Sequence, residues 1–155
     1  GEKLLDWKSA SSIPWGILLL FGGGIALAQG FKSSGLSDLL AGQLVDVTLL
    51  PEFVMILVIC LAVTFLTEVT SNTAITLLLM PIMASTAVSA GIDPAKLMIP
   101  AAMSASCAFM MPVATAPNAA VYGTGLIPMR RMNLEGLGLN VMGAFVITII
   151  CTVLI

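Results

Sequence analysis

Residues 67–73 read Thr-Glu-Val-Thr-Ser-Asn-Thr, "TEVTSNT", between two apolar runs, "PEFVMILVICLAVTFL" (51–66) and "AITLLLMPIMASTAVSAG" (74–91). Six of the seven residues are polar. The uninterrupted apolar part of the first arm, Phe53 to Leu66, holds 14 residues. At about 1.5 Å per residue such a helix covers roughly 21 Å, short of the ~30 Å hydrocarbon core of a bilayer. The second arm, Ala74 to Val88, contains Pro81 and is similarly short. Two short arms meeting at a polar turn describe a re-entrant hairpin that enters and leaves the membrane by one face. Non-helical backbone at that depth is tolerated only where it is buried in protein or lines a wet cavity, so the lengths favour a buried binding site. A tilted pair of spans with 67–73 at the surface stays open as the alternative.

The solvent follows from composition. Hydrophobic residues make up 59% of the chain and charged residues 9%, with a mean hydropathy of +1.10. Soluble domains are roughly a quarter charged, so the chain reads as a polytopic membrane protein. A net charge of -2 offers no basic surface for nucleic acid. Cys60, Cys107 and Cys151 lie in apolar runs without paired spacing, and histidine is absent, so neither a disulfide framework nor a metal cluster is indicated. With no Ser–His or metal constellation, an enzyme is not expected. The chain begins at Gly rather than Met and reads as a piece of something longer.

Along the chain, residues 1–12, "GEKLLDWKSASS", suit either an amphipathic helix on the membrane surface or a plain polar loop, with Trp7 and Trp15 at headgroup level. Pro14 fits the first turn of the next helix. Ile13 to Ala28 is a candidate span, and its Gly22-Gly23-Gly24 permits close helix contact or marks a break at an ion site. Phe31 to Leu50 carries Lys32, Asp38 and Asp46 and is too polar to span; Leu36, Leu39, Leu40 and Leu44 repeat at helical spacing, which predicts a short interfacial helix. Residues 13–50 thus form a span and an interfacial linker, and 51–91 the hairpin. After a turn at Gly91-Ile-Asp-Pro94, Leu97 to Val113 is apolar, and Ala119 to Ile127 is too short to cross alone. The two pieces predict one broken helix with its break around Thr115-Ala116-Pro117-Asn118, followed by a last span from Leu137 to Ile155.

With the hairpin returning to its own side, Lys3, Lys8, Arg130 and Arg131 fall on one face and Lys32 and Lys96 on the other. The basic majority puts the first face in the cytoplasm and the C-terminus outside.

Two interrupted helices at matching depth are the sequence signature of a transporter's binding site. The second half of a broken helix offers free N–H groups to an anion, while unwound carbonyls with Ser, Thr and Asn oxygens suit a hard cation such as Na+. Around both breaks there is no Lys, Arg or His, so a bound anion would need helix ends and co-bound cations to offset its charge. Hydroxyls also serve as helix-to-helix glue in membranes. Glu68 is the one acid in this region. A proton carrier and a hydrogen-bonded structural role behind the turn are both open to it. The ten methionines, Met110-Met111 among them, read as packing.

"TSNTA" (70–74), followed some forty residues on by "SASCAFMMPVATAPNAAVYG" (104–123), closely resembles the divalent anion/sodium symporters, the dicarboxylate, citrate and sulfate carriers. Ser106, Phe109, Pro112, Ala114, Asn118 and Val121 match that signature; Ala120 departs from it, and Ala116 stands where some members have a second proline. The resemblance covers essentially all 155 residues but only the C-terminal portion of a family member. It implies an all-α membrane protein, a polytopic helical bundle with a re-entrant hairpin and a broken transmembrane helix, one part of an inverted-repeat transporter. It also implies that Ser71, Asn72 and Thr73 contact a substrate carboxylate, with Thr115 beside them. Thr67, Thr70, Asn72 and Ala114 would surround one Na+, the co-transported ion. The second sodium site and the rest of the substrate cage would belong to the N-terminal half of the same transporter. Family members are homodimers in a bilayer that move a transport domain, here the hairpin and residues 92–155, against a scaffold in an elevator-like motion.

The resulting expectation is a Na+-coupled symporter of C4-dicarboxylates such as succinate in the cell's inner membrane. A sulfate or citrate carrier of the same family, or a channel or scaffold subunit, is the alternative. The topology has a direct check in the full-length transporter. Cysteines placed near Pro51 and Gly91 both react with an impermeant thiol reagent from outside, and one near Arg130 reacts only from inside; reaction of the first two from opposite faces would rule the hairpin out.

Overall fold

The structure, a computed structural model, describes residues 6–13 and 15–155. Residues 1–5 of the expected surface helix, Lys3 included, and Pro14 lie outside the described residues. Every regular element among the described residues is helical: α1 (Trp7–Ser11), α2 (Trp15–Ser33), α3 (Leu36–Thr48), α4 (Glu52–Thr67), α5 (Asn72–Ala90), α6 (Ala95–Ser104), α7 (Ala116–Gly123) and α8 (Met129–Leu154).

The core forms where α4, α5, α6 and α8 meet. Met55, Ile56, Cys60 and Val63 of α4, Ile75, Ile82, Met83 and Ala87 of α5, Leu97 and Ala101 of α6, and Ala144, Ile147 and Cys151 of α8 are buried together. Helix α6 packs against both arms of the hairpin, α4 leans on α8, and α5 leans on α2 and α3; α4 and α5 touch each other far less. An ion pair between Lys96 Nζ and Glu52 Oε1 (2.5 Å) joins the start of α4 to the start of α6. The two roots of the hairpin therefore lie at one end of the bundle. Half-exposed, this pair adds little stability.

Several element limits differ from the reading of the sequence. Helix α5 has 19 residues, about 28 Å at 1.5 Å per residue, and with α8 it is long and apolar enough to cross a membrane. The second arm is thus not short, and the argument from length holds for the 16-residue α4 alone. Helix α2 runs unbroken through Gly22-Gly23-Gly24. Only Gly24 meets a neighbour there, the side chain of Leu77 on α5, so close helix contact is the role Gly24 serves. In α3, Leu40, Ala41, Leu44 and Val47 face the core, while Leu36 and Leu39 are exposed; the buried stripe is rotated from the expected one because α3 packs chiefly on α5. Helix α8 begins at Met129 and takes Arg130 and Arg131 into its first turn.

The largest difference is the break in the broken helix. Helix α6 ends at Ser104, not Val113, and helix resumes at Ala116. Residues 105–115 are irregular, and 116–118, expected to be the break, are already helical. Pro112 removes a donor and biases its predecessor away from helix. Thr115, in an extended conformation with Pro117 just behind it, starts α7 afresh.

Gly136 shows how tightly α8 holds this irregular stretch. A Cβ built there would stand 2.3 Å from the carbonyl oxygen of Phe109 and 2.7 Å from Cα of Met110. Backbone cannot swing aside as a side chain does. Gly136→Ala is therefore expected to destabilise by roughly 1–3 kcal/mol, against the gain of up to ~1 kcal/mol that alanine ordinarily brings to a helix. Gly23→Ala, with nothing within 4 Å of the new atom, should leave stability unchanged or raise it. Thermal unfolding of the purified full-length protein in detergent distinguishes the two; equal midpoints would refute the close-packing argument.

Candidate functional site

Val69, Thr70, Ser71, Asn72 and Thr73 of the hairpin tip face Val113, Ala114, Thr115 and Ala116 of the second break across an open cavity of about 600 Å³. Both walls end in the first turn of a helix. Ser71 caps α5, its Oγ accepting from the Ala74 N–H at 3.4 Å. Thr115 caps α7, its Oγ1 accepting from the Asn118 N–H at 3.3 Å. The remaining first-turn N–H groups have no partner within their own helix. Two positive helix ends thus converge on one cavity, an arrangement suited to an anion. No ionisable side chain lines it.

Behind the cavity the helix polarity is reversed. Helices α4 and α6 both end there. Thr64 and Thr67 of α4 and Glu68 just past its end share one face, being three and four residues apart, and that face reads along the end of α6 and the second break. Thr64 Oγ1 donates to the Ser104 carbonyl (3.5 Å). Thr67 Oγ1 donates to the Ala105 carbonyl (3.1 Å) and also contacts Asn72 Oδ1. A hydroxyl has one proton, so it cannot serve both acceptors at once. Three oxygens gathered at two negative helix ends form a donor set suited to a hard cation.

Of the residues expected to bind substrate, Ser71, Asn72, Thr73 and Thr115 all line the cavity. Of those expected around Na+, Thr70, Asn72 and Ala114 line it, and Thr67 is fully buried directly behind Asn72. The Thr70 hydroxyl is committed to the Leu66 carbonyl at 2.6 Å, so its remaining lone pairs and its carbonyl are what it has to offer an ion.

Glu68, only 3% exposed, takes the structural place behind the turn. Its Oε1 accepts from the N–H groups of Phe109 (2.8 Å) and Met110 (2.9 Å) and from Nδ2 of Asn140 (2.6 Å). Oε2 accepts from the N–H of Met111 at 2.8 Å. Both oxygens act only as acceptors, the pattern of an ionised carboxylate. Asn118 Nδ2 donates to the carbonyls of Ala108 (2.8 Å) and Met111 (3.1 Å), and Asn140 Oδ1 accepts a second bond from the Phe109 N–H (3.1 Å). Three side chains therefore satisfy the backbone of a stretch that no helix satisfies.

Asn140 is the residue that reading the sequence missed. Its signal was a lone amide within the apolar run 137–155, where a buried polar side chain needs a partner. Asn118 was matched to a motif without a role, and its role is to fold the break.

Residues 2–154 match the family described as the sodium:sulfate symporter transmembrane region. The chain is 45% identical over 149 residues to a sodium-dependent dicarboxylate transporter, SdcS, of Staphylococcus saprophyticus, covering 96% of this chain and 29% of that protein. The SdcS of Staphylococcus aureus is 44% identical over the same length, with the same coverage. The chain thus spans under a third of the length of these relatives.

Asn72 stands at both sites, on the cavity wall and against the buried Thr67 hydroxyl. If the cavity and the cluster behind it take the anion and the Na+ expected from the sequence, Asn72→Ala in the full-length protein should weaken the apparent affinity for both, each roughly tenfold, as loss of a hydrogen bond to a charged group implies. Uptake kinetics at varied Na+ would reveal it. An unchanged Na+ dependence would remove Asn72 from the ion's shell.

Proposed function

Because the chain belongs to the sodium:sulfate symporter family, we propose that it is the C-terminal part of a Na+-coupled carrier of C4-dicarboxylates such as succinate. One observation carries the reading: two helix N-termini converge on a cavity with no basic side chain, in front of an oxygen cluster at two helix C-termini. Relatives named as sodium-dependent dicarboxylate transporters support the choice of anion over sulfate or citrate. In this reading Ser71, Asn72, Thr73 and Thr115 hold one carboxylate of the substrate. Thr67, Thr70, Asn72 and Ala114 surround one Na+. The N-terminal half of the transporter supplies the second sodium site and the rest of the cage. The hairpin, the broken helix and α8 form the moving unit of an elevator-type homodimer in the inner membrane, with α2 and α3 in its scaffold and the C-terminus outside.

Electrostatics gives the coupling. A dicarboxylate carries about two negative charges at pH 7, and burying one uncompensated costs several kcal/mol. Each helix end offers only about half a positive charge. The Phe109, Met110 and Met111 N–H groups are not available, because Glu68 holds them. Sodium must supply the balance and should bind first. Succinate should then bind the purified full-length transporter tightly in Na+ and very weakly in choline, and it should tighten Na+ binding by the same factor. Isothermal calorimetry measures both. Equal succinate affinity in choline would overturn the coupling.

A further inference from the structure

We propose that Glu68, together with Asn140, is a positioning residue: it locks the hairpin tip to the second break, so that the two walls of the cavity form one unit before any ion or substrate arrives. The proposal rests on reading this cavity as the Na+ and anion site.

The cavity walls follow the lock directly along the chain. Val69 comes immediately after Glu68, and Val113 lies two residues beyond Met111. Among the described residues, no hydrogen bond joins 69–73 to 113–116. What holds one wall against the other is the layer behind them, and the four bonds accepted by the Glu68 carboxylate are its strongest members. Asn140 fastens that layer to α8, donating to Glu68 Oε1 while accepting from the Phe109 N–H. Gly136, one turn earlier on the same face of α8, admits the Phe109 backbone at a distance that no side chain would allow.

Charge, not shape, is what the lock requires. Three consecutive N–H groups and an amide all point donors at one carboxylate. Glutamine has nearly the same shape but only one acceptor oxygen. Its NH2 group would set a donor against Met111 N–H or against the Phe109 and Met110 pair. Glu68→Gln should therefore loosen the walls relative to each other without opening a cavity.

Spin labels on cysteines at Val69 and Val113, both well exposed on opposite walls, report the wall-to-wall distance in the full-length transporter with its native cysteines replaced. In choline buffer, without substrate, the parent should give one narrow distance distribution. Glu68→Gln should give a broad one that narrows when Na+ and succinate are added. In uptake assays the same variant should need roughly tenfold more substrate for half-maximal rate, the equivalent of one charge-assisted bond, with its maximal rate retained. Should Glu68→Gln fail to reach the membrane, Asn140→Ala, which leaves the three backbone bonds of Glu68 in place, should broaden the distribution to a smaller degree. A distribution as narrow as the parent's in either variant, in choline, would overturn the proposal. Uptake by the parent that ignores Na+ would instead overturn the transport reading and leave the distance result standing.

Discussion

A carboxylate buried among backbone N–H groups is the interaction on which the rest of this structure depends. Residues 105–115 are irregular, and at membrane depth such backbone must find its partners within the protein or in a wet cavity. Each orphaned N–H in an apolar medium costs several kcal/mol. Glu68 meets three of them at once, and Asn118 meets two carbonyls. In exchange the peptide dipoles and the Asn140 amide stabilise a charge that would otherwise be prohibitively placed. The acid and the break stabilise each other. Their mutual need explains why an acidic side chain sits beside hydroxyls and an amide in an otherwise apolar segment.

The two sides of this layer differ in polarity because of the direction in which the four helices run. Helices α5 and α7 begin at the cavity, while α4 and α6 end behind it. The same backbone thus shows partial positive charge forward and partial negative charge to the rear. Ser71 and Thr115 terminate the forward helices with short hydroxyl caps that leave the neighbouring N–H groups unblocked. Opposite charges can be accommodated a few residues apart without a fixed cation in the wall, and a bound anion and a bound cation then stabilise each other through their proximity.

Much of this was legible in the sequence, for physical reasons that differ from residue to residue. The polar tip at 67–73 stood out because six polar residues between long apolar arms have no cheap place in a bilayer. The substrate roles of Ser71, Asn72, Thr73 and Thr115 came from the family resemblance, and the structure brings the four residues to one cavity. The extent of the break was not readable. "SASCAFMMPVAT" is apolar enough to pass for helix, and what unwinds it comes from residues as distant in sequence as Glu68 and Asn140. Periodicity is a local signal and cannot report contacts made to Phe109 from 41 positions before it and 31 after. Helix α3 misled for a similar reason: its leucines fit two stripes, and only the packing of α5 selects one. The length of α5 was underestimated at its ends: beyond the expected Ala74 to Val88, the helix takes in Asn72 and Thr73 just after the Ser71 cap, and Ser89 and Ala90.

The placement of Glu68 also bears on how such a carrier would sense membrane voltage. Its charge is balanced locally by dipoles, and dipoles carry no net charge. In the elevator cycle proposed here, the unit holding α4, α5 and the break therefore takes one formal negative charge with it, whatever it has bound. Moving one charge through 100 mV is worth about 2.3 kcal/mol. For this part of the molecule, a single Na+ offsets Glu68 and leaves the charge of the bound substrate carboxylate, while the empty unit bears the Glu68 carboxylate alone. An outward-positive potential would then act on the return of the empty carrier too, drawing Glu68 toward the outer face, where the next ion is collected.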